Sequence, residues 1–317
     1  MIKTTVTELI KGDKTAFSFE ILPPLKGNSI EKVYKIIDKL REFDPKYINI
    51  TTHQSENIYK EFPDGAIRKV NVRKRPGSVA IAAAIQNKYG ITAIPHMICK
   101  GFSREETEYA MIDLNFLGIY NLLLLRGDAH KEGPKFEGTF NSYATDLQKQ
   151  VADFNQGISA DGSTFEKFET PFSYGMACYP EKHEEAPNLE SDIFYAKMKQ
   201  DQGAEYLVTQ MFFDNEKYFS FVEKCRQTGI TIPIIPGVKP IVTRDQLTVL
   251  PRIFRSEIPV ELATDLLKCK TDDEAKAVGV EWGIQQCRDL VKRGVPSLHF
   301  YSLMASESVK RIAKEIY

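Results

Sequence analysis

The sequence predicts a (β/α)8 barrel, an α/β fold, and three observations carry that prediction. Short β-rich runs alternate with amphipathic stretches through almost all of the 317 residues. No G-x-G-x-x-G turn and no Walker phosphate loop follows an early strand, as an open doubly wound sheet would usually show. Polar and ionisable residues recur at nearly every predicted strand end, where this fold places its chemistry.

The first strand is "AFSFEIL", in which Phe17, Phe19 and Ile21 alternate with Ala16, Ser18 and Glu20 until Pro23 and Pro24 stop it. Glu20 is the anomaly. A buried carboxylate is costly unless paired or protonated, and taken alone a solvated Glu on an edge strand is the commoner arrangement. The later strands read as "YINITTH", "TAIPHMIC", "NLLLLRGD", "FSYGMACYP", "YLVTQMFFD", "IPIIPGV" and "SLHFYSL". Between them, "SIEKVYKIIDKLREF", "SREETEYAMIDLNFLG", "YATDLQKQVADF", "LESDIFYAKMKQDQG" and "NEKYFSFVEKCRQTG" repeat apolar residues at helical spacing. Gly118, Gly203 and Gly229 mark helix ends suited to a left-handed cap. The path from the seventh to the eighth strand holds more than one helix. The expectation is a single domain over 1–317 with extra helices before the last strand, since no linker or repeat divides the chain.

Composition narrows the function. A net charge of −1, with 42% hydrophobic and 27% charged residues, fits a globular protein and argues against nucleic acid or an acidic membrane as partner. The five cysteines form no C-x-x-C pair and read as reduced thiols. The N-terminal stretch has no apolar core of signal-peptide length, so a cytoplasmic protein is expected.

In a barrel the strand ends line up Glu20; Thr51, Thr52 and His53; His96; Arg126 and Asp128; Tyr179, Glu181 and His183; Gln210; and Tyr301. That convergence moves Glu20 from surface residue to candidate catalytic group. Four histidines near strand ends raise a metal-dependent alternative, but no H-E-x-x-H or H-x-H pair exists and no metal is expected. In "LRGD", Arg126 suits a phosphate and Asp128 a polar heterocycle, with an internal salt bridge as the competing explanation. "IRKVNVRKR" (Arg68, Lys69, Arg73, Lys74, Arg75) is ordinarily a solvated face, here placed on the rim. "NQGISADGSTFEKFETP" precedes a strand and belongs on the opposite face.

The motifs "FSFEILPP", "YINITT", "IPHMIC", "LLLLRGD", "YATDL", "ACYPEKHEEA", "LVTQMFFD", "IIPGVKP" and "HFYSL", in this order over nearly the whole chain, resemble the 5,10-methylenetetrahydrofolate reductases. The resemblance implies an FAD-containing barrel that reduces 5,10-methylenetetrahydrofolate to 5-methyltetrahydrofolate with NADH or NADPH, for methionine synthesis. It implies Glu20 as general acid, Thr51 beside the nicotinamide donor and Thr52 at the flavin. His96, Arg126, Gly127, Asp128, Ala144, Tyr179, His183, Asp192 and Lys199 match cofactor contacts, with Arg126 and Lys199 at phosphates. Asp128 also matches the carboxylate that meets the pterin and tunes the flavin, and Gln210 and Tyr218 match substrate contacts. A homo-oligomer with small-molecule substrates (folate and a nicotinamide nucleotide) is the corresponding expectation for partners.

The chain departs from the family pattern after the last strand, where Met304 and Ala305 replace an arginine-bearing segment. Tyr195 and Met198 replace more polar residues near the cofactor, and the insert at 155–171 is long. The basic run at 68–75 is the candidate substitute for holding the folate tail. The family's long C-terminal regulatory domain is not continued here, so feedback by S-adenosylmethionine is not expected. Besides the metal-dependent reading, a barrel lyase or hydrolase, two alternatives stand beside the leading one. A proline-dehydrogenase-like flavoenzyme would carry paired arginines late in the chain, and a catalytically inactive barrel would not need Glu20 and Asp128.

Overall fold

The computed structural model describes residues 4–127, 139–303 and 305–317. In chain order the elements are α1 (Val6–Leu9), β1 (Ala16–Ile21), α2 (Glu31–Leu40), β2 (Tyr47–Ile50), β3 (Glu56–Glu61), β4 (Ile67–Val72), α3 (Ser78–Tyr89) and β5 (Thr92–Ile98). Then come α4 (Arg104–Phe116), β6 (Asn121–Leu125), α5 (Ala144–Asn155), β7 (Ser173–Cys178), α6 (Leu189–Asp201), β8 (Tyr206–Thr209) and α7 (Asn215–Gln227). The last part holds β9 (Ile234–Ile235), β10 (Gly237–Val238), α8 (Gln246–Phe254), α9 (Val260–Lys268), α10 (Asp272–Lys292), β11 (Ser297–Phe300) and α11 (Ser306–Ile316).

The main sheet is parallel and runs β10-β11-β1-β2-β5-β6-β7-β8-β9. Its two ends, β9 and β10, are halves of one stave interrupted at Pro236, which lacks the N–H that a continuous ladder requires. β9 pairs with β8 and β10 pairs with β11, so this stave closes the ring. The Gly237 N–H donates to Thr209 Oγ1 at 2.9 Å and the His299 N–H to the Pro236 carbonyl at 3.0 Å, stitching the break from both sides. The predicted barrel is therefore the observed one, with α8, α9 and α10 as the extra helices before β11.

Period-two alternation divides each stave. Phe17, Phe19 and Ile21 face outward into a core shared with Val33, Ile37 and Leu40 of α2. Ala16, Tyr47, Ile94, Leu123, Tyr206, Val208 and Ile235 fill the lower interior as a second cluster. Ser18 and Glu20 share the parity of Ala16 and so face inside, above that plug. Helix ends follow local chemistry: Ser103 and Glu106 form a reciprocal capping box on α4, and Gly118, Gly203 and Gly229 take the left-handed conformation expected of them.

The structure adds to the quoted pattern the helices α1, α3 and α11 and one small second sheet. The segment after β2 forms an antiparallel hairpin, β3–β4, and carries Arg68 and Lys69 with Arg73, Lys74 and Arg75 just beyond it. Two of these charges are internally paired, Arg68 with Asp64 and Lys74 with Glu56. The 155–171 insert closes on an Ile158–Thr164 bridge and packs Phe165 and Phe168 against Phe154, on the face opposite the strand C-termini.

Candidate active site at the barrel mouth

Glu20 sits on the penultimate position of β1, 7% exposed and pointing into the barrel. Burial pushes its carboxyl up to about 8, against the opposing pull of Lys239. The group is thus protonated at neutral pH without a close salt bridge. His96 Nε2 lies 3.8 Å from Glu20 Oε2. This contact is not an ion pair, because burial lowers the His96 imidazole to about 3 and both partners are neutral. The His96 ring is held instead by Asn49, whose side-chain amide lies 3.2 Å from Nε2. The backbone around Glu20 is fixed by Ser302, whose hydroxyl donates to the Glu20 carbonyl.

Lower in the same interior, Ser18 Oγ contacts His299 Nδ1 at 3.1 Å. Burial drives His299 down to about 3 as well, so it too is a neutral ring. Tyr301 donates its hydroxyl to the Thr209 carbonyl. Thr51 approaches His53 Nε2 at 3.3 Å, and the Thr52 hydroxyl donates to Ser78 and to the His96 carbonyl. Gln210, half-buried just beyond β8, turns its amide oxygen back onto the Met211 N–H at 2.9 Å.

A second group of residues gathers beyond β6 and β7. Arg126 pairs with Glu185 and stacks its guanidinium over the Tyr143 ring, centroid 5.0 Å away, at the start of α5 where Ala144 is the first residue. Gly127 follows at φ +85°, a conformation that L side chains resist. The Tyr179 and His183 rings meet edge to face at 4.7 Å. The His183 N–H donates to Asp192 Oδ2 at 2.7 Å, and burial raises the Asp192 carboxyl against that bond. Lys199 reaches from α6 to donate to the Ala177 carbonyl at 2.7 Å, and burial lowers its ammonium. Among the described residues, Arg126 Nε is buried with no hydrogen-bond partner. A guanidinium just beyond β6 and a half-buried lysine on α6 are donors suited to a phosphate or pyrophosphate.

Not every expected residue joins the mouth. Tyr218 lies on the outer side of the sheet, 3% exposed, stacked on Phe212 with its hydroxyl donating to the Ile234 carbonyl at 2.7 Å. That geometry braces the broken stave. Glu181 is turned to Lys217, 3.0 Å away. Asp128 lies outside the described residues, as does Met304. Among the described residues no cluster of three His, Cys, Asp or Glu is placed to hold a metal ion, and no helix is long and apolar enough to cross a membrane.

Two interior residues were missed from sequence. Asn49 was passed over inside an apolar strand. Lys239 was passed over because the strand "IPIIPGV" ends at its valine and no role attached to the lysine of "IIPGVKP". Parity would have found it: Ile235, Gly237 and Lys239 alternate onto one face.

Comparison with known proteins identifies the family. The family profile described as methylenetetrahydrofolate reductase matches residues 5–317. A 5,10-methylenetetrahydrofolate reductase of Pectobacterium carotovorum is 31% identical over 92% of this chain and 86% of its own length. A probable NADPH-type methylenetetrahydrofolate reductase of Caenorhabditis elegans is 30% identical over 100% of this chain, which covers 44% of that protein. The chain spans about half the length of the animal, plant and fungal relatives it matches. A solved Clostridium thermocellum protein, described as uncharacterised and as binding two copies of 5-methyl-5,6,7,8-tetrahydrofolic acid, superposes with a TM-score of 0.56. It covers 96% of this chain and 94% of its own at 16% identity, a likeness of fold. The chain belongs to the methylenetetrahydrofolate reductase family.

Proposed function

We propose that this protein reduces 5,10-methylenetetrahydrofolate to 5-methyltetrahydrofolate, drawing electrons from NADH or NADPH through FAD. The observation that carries the reading is Glu20: a buried carboxyl held protonated to about pH 8 at the mouth of a barrel of this family. Opening the five-membered ring of the substrate requires a proton at the departing nitrogen. A carboxylic acid whose pKa lies near the working pH is suited to that transfer. Once the ring is open, the methylene carbon is an iminium that accepts a hydride and becomes the methyl group. Bound FAD supplies the two-electron relay between the nicotinamide and that carbon.

The residues present fit this cofactor. Arg126, whose Nε has no hydrogen-bond partner among the described residues, and the half-buried Lys199 would hold its phosphates. Thr52, His96, Gly127, Ala144, Tyr179, His183 and Asp192 line the rest of its site. Thr51 and Gln210 serve the substrate side, and Asp128 keeps the role at the pterin and flavin that the resemblance assigns it. Tyr218 acts from behind, by holding the Ile234 carbonyl. The neutral His96 lets Glu20 keep its proton, since an imidazolium 3.8 Å away would favour the carboxylate. The wider reading is a cytoplasmic homo-oligomer whose product supplies methionine synthesis.

The test is direct. The protein, purified with FAD, is expected to be yellow, to bleach anaerobically with NADH or NADPH, and to recover its colour on addition of 5,10-methylenetetrahydrofolate with one equivalent of 5-methyltetrahydrofolate formed. Failure to take up FAD, or reduced flavin that the folate does not reoxidise, contradicts the proposal.

A further inference from the structure

Lys239 has no place in the scheme above, yet it is a lysine 7% exposed inside a barrel. Its position follows from register. Gly237 is level with His299 and Val238 with Phe300 across the β10–β11 ladder. Ser18 is level with His299 and Phe19 with Phe300 across the β1–β11 ladder. The Tyr301 N–H donates to the Val238 carbonyl at 2.9 Å, which carries the β10–β11 register one residue further. Lys239, Tyr301 and Glu20 therefore form one layer on three neighbouring staves, all with inward parity. Adjacent strands are about 4.8 Å apart, so the Lys239 and Glu20 backbones stand roughly 10 Å apart with the Tyr301 backbone between them. A lysine and a glutamate side chain together span that gap.

The space between them is built for the pair. Gly237, beneath Lys239, leaves room for Tyr301: a Cβ there would come within 2.5 Å of the ring. The Tyr301 hydroxyl is drawn away toward Thr209 and does not compete for either head group. Among the described residues, the other titratable groups facing this layer are Tyr301 itself, whose phenol burial pushes up, and His96 on β5 and His299 on β11, both neutral, with His53 beyond β2. Burial lowers the Lys239 ammonium, and a Glu20 carboxylate, once formed, opposes that shift; Lys239 in turn opposes the upward push of burial on Glu20.

We propose that Lys239 is a positioning residue for the acid step: its buried ammonium receives, as an ion pair, the negative charge that Glu20 acquires when its proton passes to the substrate nitrogen. Without Lys239 the conjugate base would be left uncompensated in a dry site, making Glu20 a more reluctant donor. No bond is made to Lys239. One proton leaves Glu20 for the substrate in each turnover and is replaced from solvent. The inference rests on the acid role proposed for Glu20 and adds what sets its strength.

The experiment compares Lys239→Met, Lys239→Arg and Glu20→Gln in the FAD-loaded protein. The protonated-carboxyl infrared band of Glu20, assigned by its loss in Glu20→Gln, is titrated with pH. In parallel, stopped flow follows reoxidation of the reduced flavin by the folate over the same pH range. In Lys239→Met the midpoint of the band and the alkaline limb of reoxidation are expected to move up together by about one pH unit or more. The plateau rate should fall, and reduction by the nicotinamide should be unchanged. Lys239→Arg should restore the midpoint. Lys239→Gln gives the same comparison should the methionine variant not fold. An unmoved midpoint in the neutral variants overturns this proposal while leaving the acid role intact. Normal reoxidation in Glu20→Gln overturns the acid role itself.

Discussion

Glu20 is placed where its ionised form is disfavoured, and that placement has a cost that can be measured. Its carboxyl titrates near 8 in the folded protein, against 4.5 for the free side chain. Between these values the folded chain holds a proton that the unfolded chain has released, so stability falls as pH rises from about 4.5 to about 8 and the loss persists above. The loss is on the order of a few kcal/mol. Glu20→Gln should therefore be more stable than the wild type at pH 8 and nearly equal to it below pH 4.5. Thermal denaturation across this range checks the sign, and a variant less stable at pH 8 would show that the carboxylate is stabilised in the fold. Glu20 was legible in the sequence because alternation with three apolar residues forces it inside. Lys239 was not, because Pro236, immediately before Gly237, breaks the strand, and the parity that places Lys239 inside has to be carried across that break.

The same proline governs the element scale. β9 and β10 are too short to hold a register alone, and their position depends on contacts from outside the ladder. Tyr218 secures the Ile234 carbonyl from α7, and α10 presses against the chain just beyond Lys239. Gly279 is the contact point: a Cβ there would sit 2.1 Å from the Ile241 carbonyl oxygen, a backbone atom with little freedom to yield. Gly279→Ala should cost about 1–3 kcal/mol through displacement of α10 from the stave. It should also weaken folate turnover more than flavin binding, because Lys239 moves with the stave while Arg126 and Lys199 do not. Chemical denaturation and flavin titration of the variant measure the two effects; an undisturbed stability would show that α10 is not pinned there. The amphipathic helices were readable because burial imposes their period. The β3–β4 hairpin was not, since its strands are exposed or half-buried along their length and no buried face imposes alternation. α3 lacks a strong stripe because Val79–Ile85 is apolar on almost every side.

At the scale of the molecule, ring closure brings together residues that are distant in sequence: Glu20 from β1, Asn49 from β2, His96 from β5 and Lys239 from beyond β10. The lower interior is plugged mainly by aromatic and aliphatic side chains, and the ionisable Glu20, His96 and Lys239 are stacked toward the open end. The fold class and the strand ends could be read from alternation. Which strand-end residues face one another could not, because that depends on register around the ring; Tyr218 was expected at the mouth and lies behind the sheet. The mouth then has two flanks. One, around Arg126 and Lys199, suits a phosphate-bearing cofactor, and the other holds the acid. The division implies that removing the acid should silence one half of the reaction and spare the other. Glu20→Gln, loaded with FAD and followed by stopped flow, should be reduced by the nicotinamide at a rate close to wild type yet reoxidised by 5,10-methylenetetrahydrofolate at least 100-fold more slowly, a loss in the range of about 10²–10⁴ expected for a missing general acid. Equal loss in both half-reactions, or none in the second, would contradict the account.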